Sequence, residues 1–129
     1  MIQLLLKNVN LDLNVTDDLT GVNAFWLACF YGHGLIMKEL ANAGADVFNV
    51  NKEGINVLHL SIYMNNKPIV KMLLLSNFPL EYVTDKGYSA IHLCCMLNRT
   101  DILHEIMTHM RKSGYNRTFK RSLLNSMNN

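Results

Sequence analysis

The chain has 129 residues, 50% of them apolar, and a formal net charge of +2, which is room for one domain around one core. No apolar run approaches the roughly 18 residues of a membrane span, and Met1-Ile2-Gln3-Leu4-Leu5-Leu6-Lys7 lacks the basic leader of a secretory signal. Cys29, Cys94 and Cys95 are odd in number with two adjacent, so no disulfide framework is visible; the expected setting is reducing, intracellular and most simply cytoplasmic.

From the N-terminus, Leu4-Leu5-Leu6 reads as the end of a helix and Leu11-Asp12-Leu13-Asn14 as a short extended stretch. Beyond residue 17 a repeat takes over. Gly21, Gly54 and Gly87 recur every 33 residues, together with Phe25/Leu58/Ile91, Leu27/Leu60/Leu93, Ile36/Ile69/Ile102 and Leu40/Leu73/Ile106. Such columns imply one supersecondary unit used three times. Each unit opens with a glycine turn such as Lys52-Glu53-Gly54, followed by a short apolar helix such as Val57-Leu58-His59-Leu60-Ser61-Ile62. Gly32, Asn65 and Asn98 then stand where a residue must stop the helix in a left-handed conformation. A second helix follows, as in Ile69-Val70-Lys71-Met72-Leu73-Leu74, and Gly44 and Asn77 repeat the stop. The third unit lacks that ending; its outer helix is expected to run through Thr108-His109-Met110-Arg111-Lys112 to Gly114.

Gly32-His33 with Ile36, Gly44-Ala45-Asp46-Val47, Gly54-Ile55-Asn56-Val57-Leu58-His59-Leu60 and Gly87-Tyr88-Ser89-Ala90-Ile91-His92-Leu93 resemble the ankyrin repeat family. The resemblance implies an all-α, ankyrin-type helical repeat solenoid with short β-turn fingers. A partial repeat would occupy residues 1–17 and three repeats 18–50, 51–83 and 84–114, leaving a basic C-terminal segment at 115–129. The chain departs from the family pattern in its turn segment. Ala24, Val57 and Ala90 replace the proline, while Asn23, Asn56 and Ser89 replace the threonine and can still cap a helix. Trp26 stands in the histidine slot of the first repeat, so the side chain–backbone bonding of that histidine is expected to be lost there.

Family geometry makes the turn tips and inner helices a concave binding face. It maps Thr20, Val22, Phe30 and Tyr31 there from the first repeat, Lys52, Glu53, Ile55, Tyr63 and Met64 from the second, and Asp85, Lys86, Tyr88, Met96 and Leu97 from the third. Phe30-Tyr31, Tyr63-Met64 and Met96-Leu97 should align as a ladder of the residue types that anchor interfaces. The bland alternative is that these side chains pack on one another, or on the C-terminal segment folding back. With no inner helix in the partial repeat, the N-terminal flank is a further possible contact.

Sites for chemistry are hard to find. His104 and His109 are five apart, whereas a helical zinc pair needs four. His92, Cys94 and Cys95 point in different directions on a helix, and Cys94 and Cys95 read as small core residues. There is no phosphate-binding glycine loop and no nucleophile elbow. Neither a metal, a cofactor, a small-molecule substrate nor catalysis is therefore expected. Residues 1–110 hold seven of the twelve Lys and Arg and all ten acids, a net of −3, while Arg111, Lys112, Arg117, Lys120 and Arg121 make residues 111–129 +5. This segment suits an acidic protein surface better than nucleic acid. The expected function is protein–protein interaction, as an adaptor or small subunit of a larger assembly. The alternatives are a regulatory ankyrin domain of a larger enzyme, or nucleic-acid or acidic-surface binding through the basic segment.

Overall fold

A computed structural model describes residues 12–113. The first eleven residues of the expected half repeat, and the whole of the segment 115–129, lie outside that range. The described residues form six helices and no strand: α1 Ala24–Phe30, α2 Gly34–Asn42, α3 Val57–Tyr63, α4 Lys67–Leu75, α5 Ala90–Leu97 and α6 Thr100–Ser113. They pair as α1–α2, α3–α4 and α5–α6, one helical hairpin per 33-residue unit.

The boundaries follow from local chemistry. Asn23, Asn56 and Ser89 cap the inner helices, each accepting from the backbone N–H three residues on (Trp26, His59 and His92). After the inner helices, Gly32, Asn65 and Asn98 have φ of 77°, 56° and 56°. Their reversal lets His33, Asn66 and Arg99 donate back to the carbonyls of Ala28, Ser61 and Cys94 at 2.8 Å each. That is the bonding a helix end needs once its carbonyls run out of helical partners. Gly44 and Asn77 reverse the chain after the outer helices in the same way.

Inner helices α1, α3 and α5 stack in a row, and outer helix α4 packs on α6. Met37, Leu58, Ile62, Leu93, Ile102 and Ile106 are almost wholly buried between these layers, each contributing about 2 kcal/mol by leaving water. The repeat columns are not equally sealed: Leu60, Leu93, Ile69 and Ile102 are buried, but their first-repeat counterparts Leu27 and Ile36 are partly exposed. Arg99 ties adjacent units together. Its Nε and Nη2 donate to the carbonyls of Ile62 (3.0 Å) and Tyr63 (2.9 Å), fixing the end of α3 that carries Tyr63.

Candidate protein-binding face

Three fingers precede the inner helices, each closed by a pair of backbone bonds: Asp17 N to Val22 O (2.9 Å) with Gly21 N to Asp17 O (2.7 Å), Asn51 N to Ile55 O (3.1 Å) with Gly54 N to Asn51 O (3.0 Å), and Thr84 N to Tyr88 O (2.9 Å) with Gly87 N to Thr84 O (2.8 Å). The first finger is one residue longer than the others. Asp17, not Asp18, does the work of Asn51: its Oδ2 accepts from Thr20 N (2.9 Å) and Thr20 Oγ1 (2.8 Å), which holds its carboxyl below the ordinary value, with help from Lys52. Asn51 Oδ1 accepts from Glu53 N and Ile55 N. Neighbouring fingers are joined by equivalent backbone bonds, Lys52 N to Thr20 O (3.2 Å) and Asp85 N to Glu53 O (3.0 Å). At the second joint the approach is so close that a Cβ on Gly54 would lie 2.9 Å from the Asp85 nitrogen. The row of fingers is therefore a braced wall opposite the inner helices.

Between wall and helices lie two adjoining grooves. The first, of about 500 Å³, is lined by Leu19, Thr20, Val22, Trp26, Leu27, Phe30 and Tyr31 and bounded by Asn51, Lys52 and Glu53. The second, of about 320 Å³, runs between Ile55, Tyr63 and Tyr88 and the tips at Lys52, Glu53, Asp85 and Lys86. In the first, Trp26 stacks on Phe30 with ring centroids 6.1 Å apart, and Phe30 meets Tyr31 edge-on at 5.1 Å. The inner helices AFWLACF, VLHLSIY and AIHLCCML carry no Lys, Arg, Asp or Glu. The floor is uncharged, and the charges sit on the finger tips.

The expected site residues divide. Phe30, Tyr31, Tyr63, Met64 and Met96 are exposed on the inner helices or their ends, and Lys52, Glu53, Asp85 and Lys86 stand on the tips. Met64 and Met96 line neither groove. Val22 is a partial correction: it lines the first groove, but at 3% exposed most of it belongs to the core beneath. Ile55, Tyr88 and Leu97 are half-buried against that core. The column Val22/Ile55/Tyr88 comes just after each finger glycine, where the left-handed turn has already directed the chain inward. Leu19, 82% exposed, and Leu27 were missed. Leu19 is the repeat equivalent of Lys52 and Asp85, so its position at a tip was readable from the same alignment.

The histidine column brings a second correction. In the second repeat, His59 Nδ1 accepts from Asn56 N (3.3 Å) while Nε2 faces Tyr82 O at 3.1 Å. Since Nδ1 accepts, Nε2 carries the proton and donates. In the third, His92 Nδ1 accepts from Ser89 N at 3.0 Å. In the first, the bonding is replaced instead of lost. Asn49 Oδ1 accepts from Asn23 N (2.9 Å), its Nδ2 donates to Gly21 O (3.2 Å), and Trp26 Nε1 donates across to Ile55 O (2.8 Å).

Cys29 and Cys94 are buried, with burial pushing each thiol up to about 12, far from the thiolate range of reactive cysteines. Cys95 is exposed, contrary to its expected place in the core. Of the five cations in the basic segment, Arg111 and Lys112 occupy the last turn of α6; Arg117, Lys120 and Arg121 lie outside the described residues. No described helix is long and apolar enough to cross a membrane.

Stacked helical hairpins with braced fingers and a preformed apolar face define a helical-repeat binding scaffold. Residues 1–82 match the family model for ankyrin repeats, in three copies. The chain belongs to the ankyrin repeat family, whose repeats are generally protein–protein interaction modules and typically not catalytic. The α5–α6 hairpin, beyond the matched residues, continues the same period. A comparison with curated proteins gives no match.

Proposed function

We propose that this chain is a non-catalytic adaptor, or small subunit of a larger assembly, that binds a partner protein in the two grooves between its fingers and inner helices. The observation that carries this reading is the uncharged floor of Phe30, Tyr31 and Tyr63 beside a wall of hydrogen-bonded fingers. A rigid, preformed surface of this kind binds with little ordering cost. Aromatic side chains seated in pockets are the usual anchors of interfaces. The free cysteines, with Cys95 exposed, favour work in a reducing compartment such as the cytoplasm.

The test compares the tagged chain with a Tyr31→Ala, Tyr63→Ala double variant, after circular dichroism and urea unfolding have verified equal folding. Partners recovered from the source cells are identified, purified and titrated back. The expected result is one partner whose affinity falls at least about tenfold in the variant, as for loss of interface anchors. Equal affinity for both forms removes the grooves as the binding site.

A further inference from the structure

The outer side of the molecule has a different chemistry. Between α4 and α6 lies a groove of about 290 Å³ lined by Lys71, Leu74, Leu75, Glu105, Thr108, His109 and Lys112. Lys67 and Lys71 both approach the same oxygen of Glu105, Oε1, at 3.9 and 3.7 Å. One carboxylate is thus bracketed by two ammonium groups, and Lys112 adds a third cation to the rim. Leu75 stands at the lip with 84% of its surface exposed, the most exposed large apolar side chain among the described residues. Arg111 follows on the last turn of α6.

We propose that this groove is a second docking site, independent of the finger grooves, which takes an acidic peptide segment of a partner protein. Charge complementarity carries the choice of occupant. On α4 and α6, Lys67, Lys71, Arg111 and Lys112 outnumber Asp101 and Glu105, which leaves a net positive field on this side. Leu75 gives such a segment an apolar residue to rest against, and a partly paired lysine pair can exchange Glu105 for an incoming carboxylate at small net cost. A phosphodiester backbone fits less well, because it makes no use of the exposed apolar Leu75 at the lip of the groove.

The test is fluorescence anisotropy on the full chain at moderate salt. The probes are a short labelled peptide of alternating glutamate and leucine, its glutamine analogue, and a labelled oligothymidylate of matched charge. The glutamate peptide should bind best and lose affinity steeply with salt. Lys71→Glu with Lys112→Glu should weaken it about tenfold or more. Leu75→Ser, fully on the surface, should weaken it several-fold, and Tyr63→Ala should leave it unchanged. Lys112→Glu alone gives a smaller loss in the same direction without touching the Glu105 pairs. The proposal is overturned if the oligothymidylate binds as tightly as the peptide, if the glutamine analogue binds equally well, or if the charge-reversed and Leu75→Ser chains bind like wild type.

Discussion

The first and second repeats build the same turn into the same helix with different side chains. In the second, two residues do everything: Asn56 is the cap, and the wholly buried His59 accepts from Asn56 N and reaches across to Tyr82 O. In the first, three side chains share the work, with Asn23 as cap, Asn49 receiving the Asn23 N–H and Trp26 reaching the next repeat at Ile55 O. What is held constant is the satisfaction of one buried backbone N–H, because leaving it unpaired costs roughly 1–3 kcal/mol. The histidine is one solution among several, and it is the one that makes stability depend on pH.

Removing each solution is the most direct way to break the comparison. His59→Ala leaves Asn56 N and Tyr82 O unpaired and opens a cavity, so it should cost roughly 3 kcal/mol in urea unfolding. Asn49→Ala should cost about half as much, because Asn49 is only partly buried and the Trp26 bond survives. Equal losses would show that the two repeats do not differ in the way described.

The finger glycines sharpen the same contrast. Gly21 and Gly54 share a φ of 78°, yet a Cβ on Gly21 meets nothing closer than 3.7 Å, whereas on Gly54 it would collide with Asp85. Gly21→Ala should cost about 1 kcal/mol from the left-handed conformation alone, and Gly54→Ala about 2 kcal/mol or more. Only Gly54→Ala should also speed hydrogen exchange at the Asp85 amide.

Acid separates the repeats next. Burial holds the His59 imidazole below its ordinary value of 6.5, against the raising effect of the Tyr82 carbonyl. The unfolded chain therefore takes up this proton first. The contribution of His59 to stability is complete above pH 6.5 and falls as the pH drops below it, until the folded imidazole protonates too, with a slope of up to about 1.4 kcal/mol per pH unit. Hydrogen exchange near pH 5.5 should show α3 losing protection before α1, whose slot holds the non-titrating Trp26. Loss of protection in α1 first contradicts this assignment.

The smallest effect concerns the caps. Asn23 Nδ2 donates to Asp46 O at 3.0 Å, but Asn56 Nδ2 is buried without a partner. Asn56→Ser, the residue found at position 89, keeps the capping oxygen and removes the orphan, so stability should change by less than about 0.5 kcal/mol or rise.

The 33-residue period, the caps at Asn23, Asn56 and Ser89, and the left-handed stops at Gly32, Asn65 and Asn98 were all legible in the sequence, because each depends on a residue's own backbone preference or on a neighbour three or four positions away. So was the exposure of Phe30, Tyr31 and Tyr63, which follows once the inner helices are placed. Three features were not legible: the inward turn of Val22, the substitution of Asn49 for the missing histidine, and the clasp of Arg99 on the end of α3. Asn49 acts 26 residues from Asn23, and Arg99 acts 37 from Ile62. Nothing in a local pattern distinguishes a polar side chain that reaches a distant backbone group from one that meets water. The sequence by itself determined which elements form and how often they recur, since those are set by steric limits on φ and by short-range bonding. Only the tertiary structure decided which side of each finger faces the core and how the two finger grooves and the outer basic groove are walled. Those depend on how one hairpin stacks on the next, where burial and the pairing of distant backbone groups outweigh local preference.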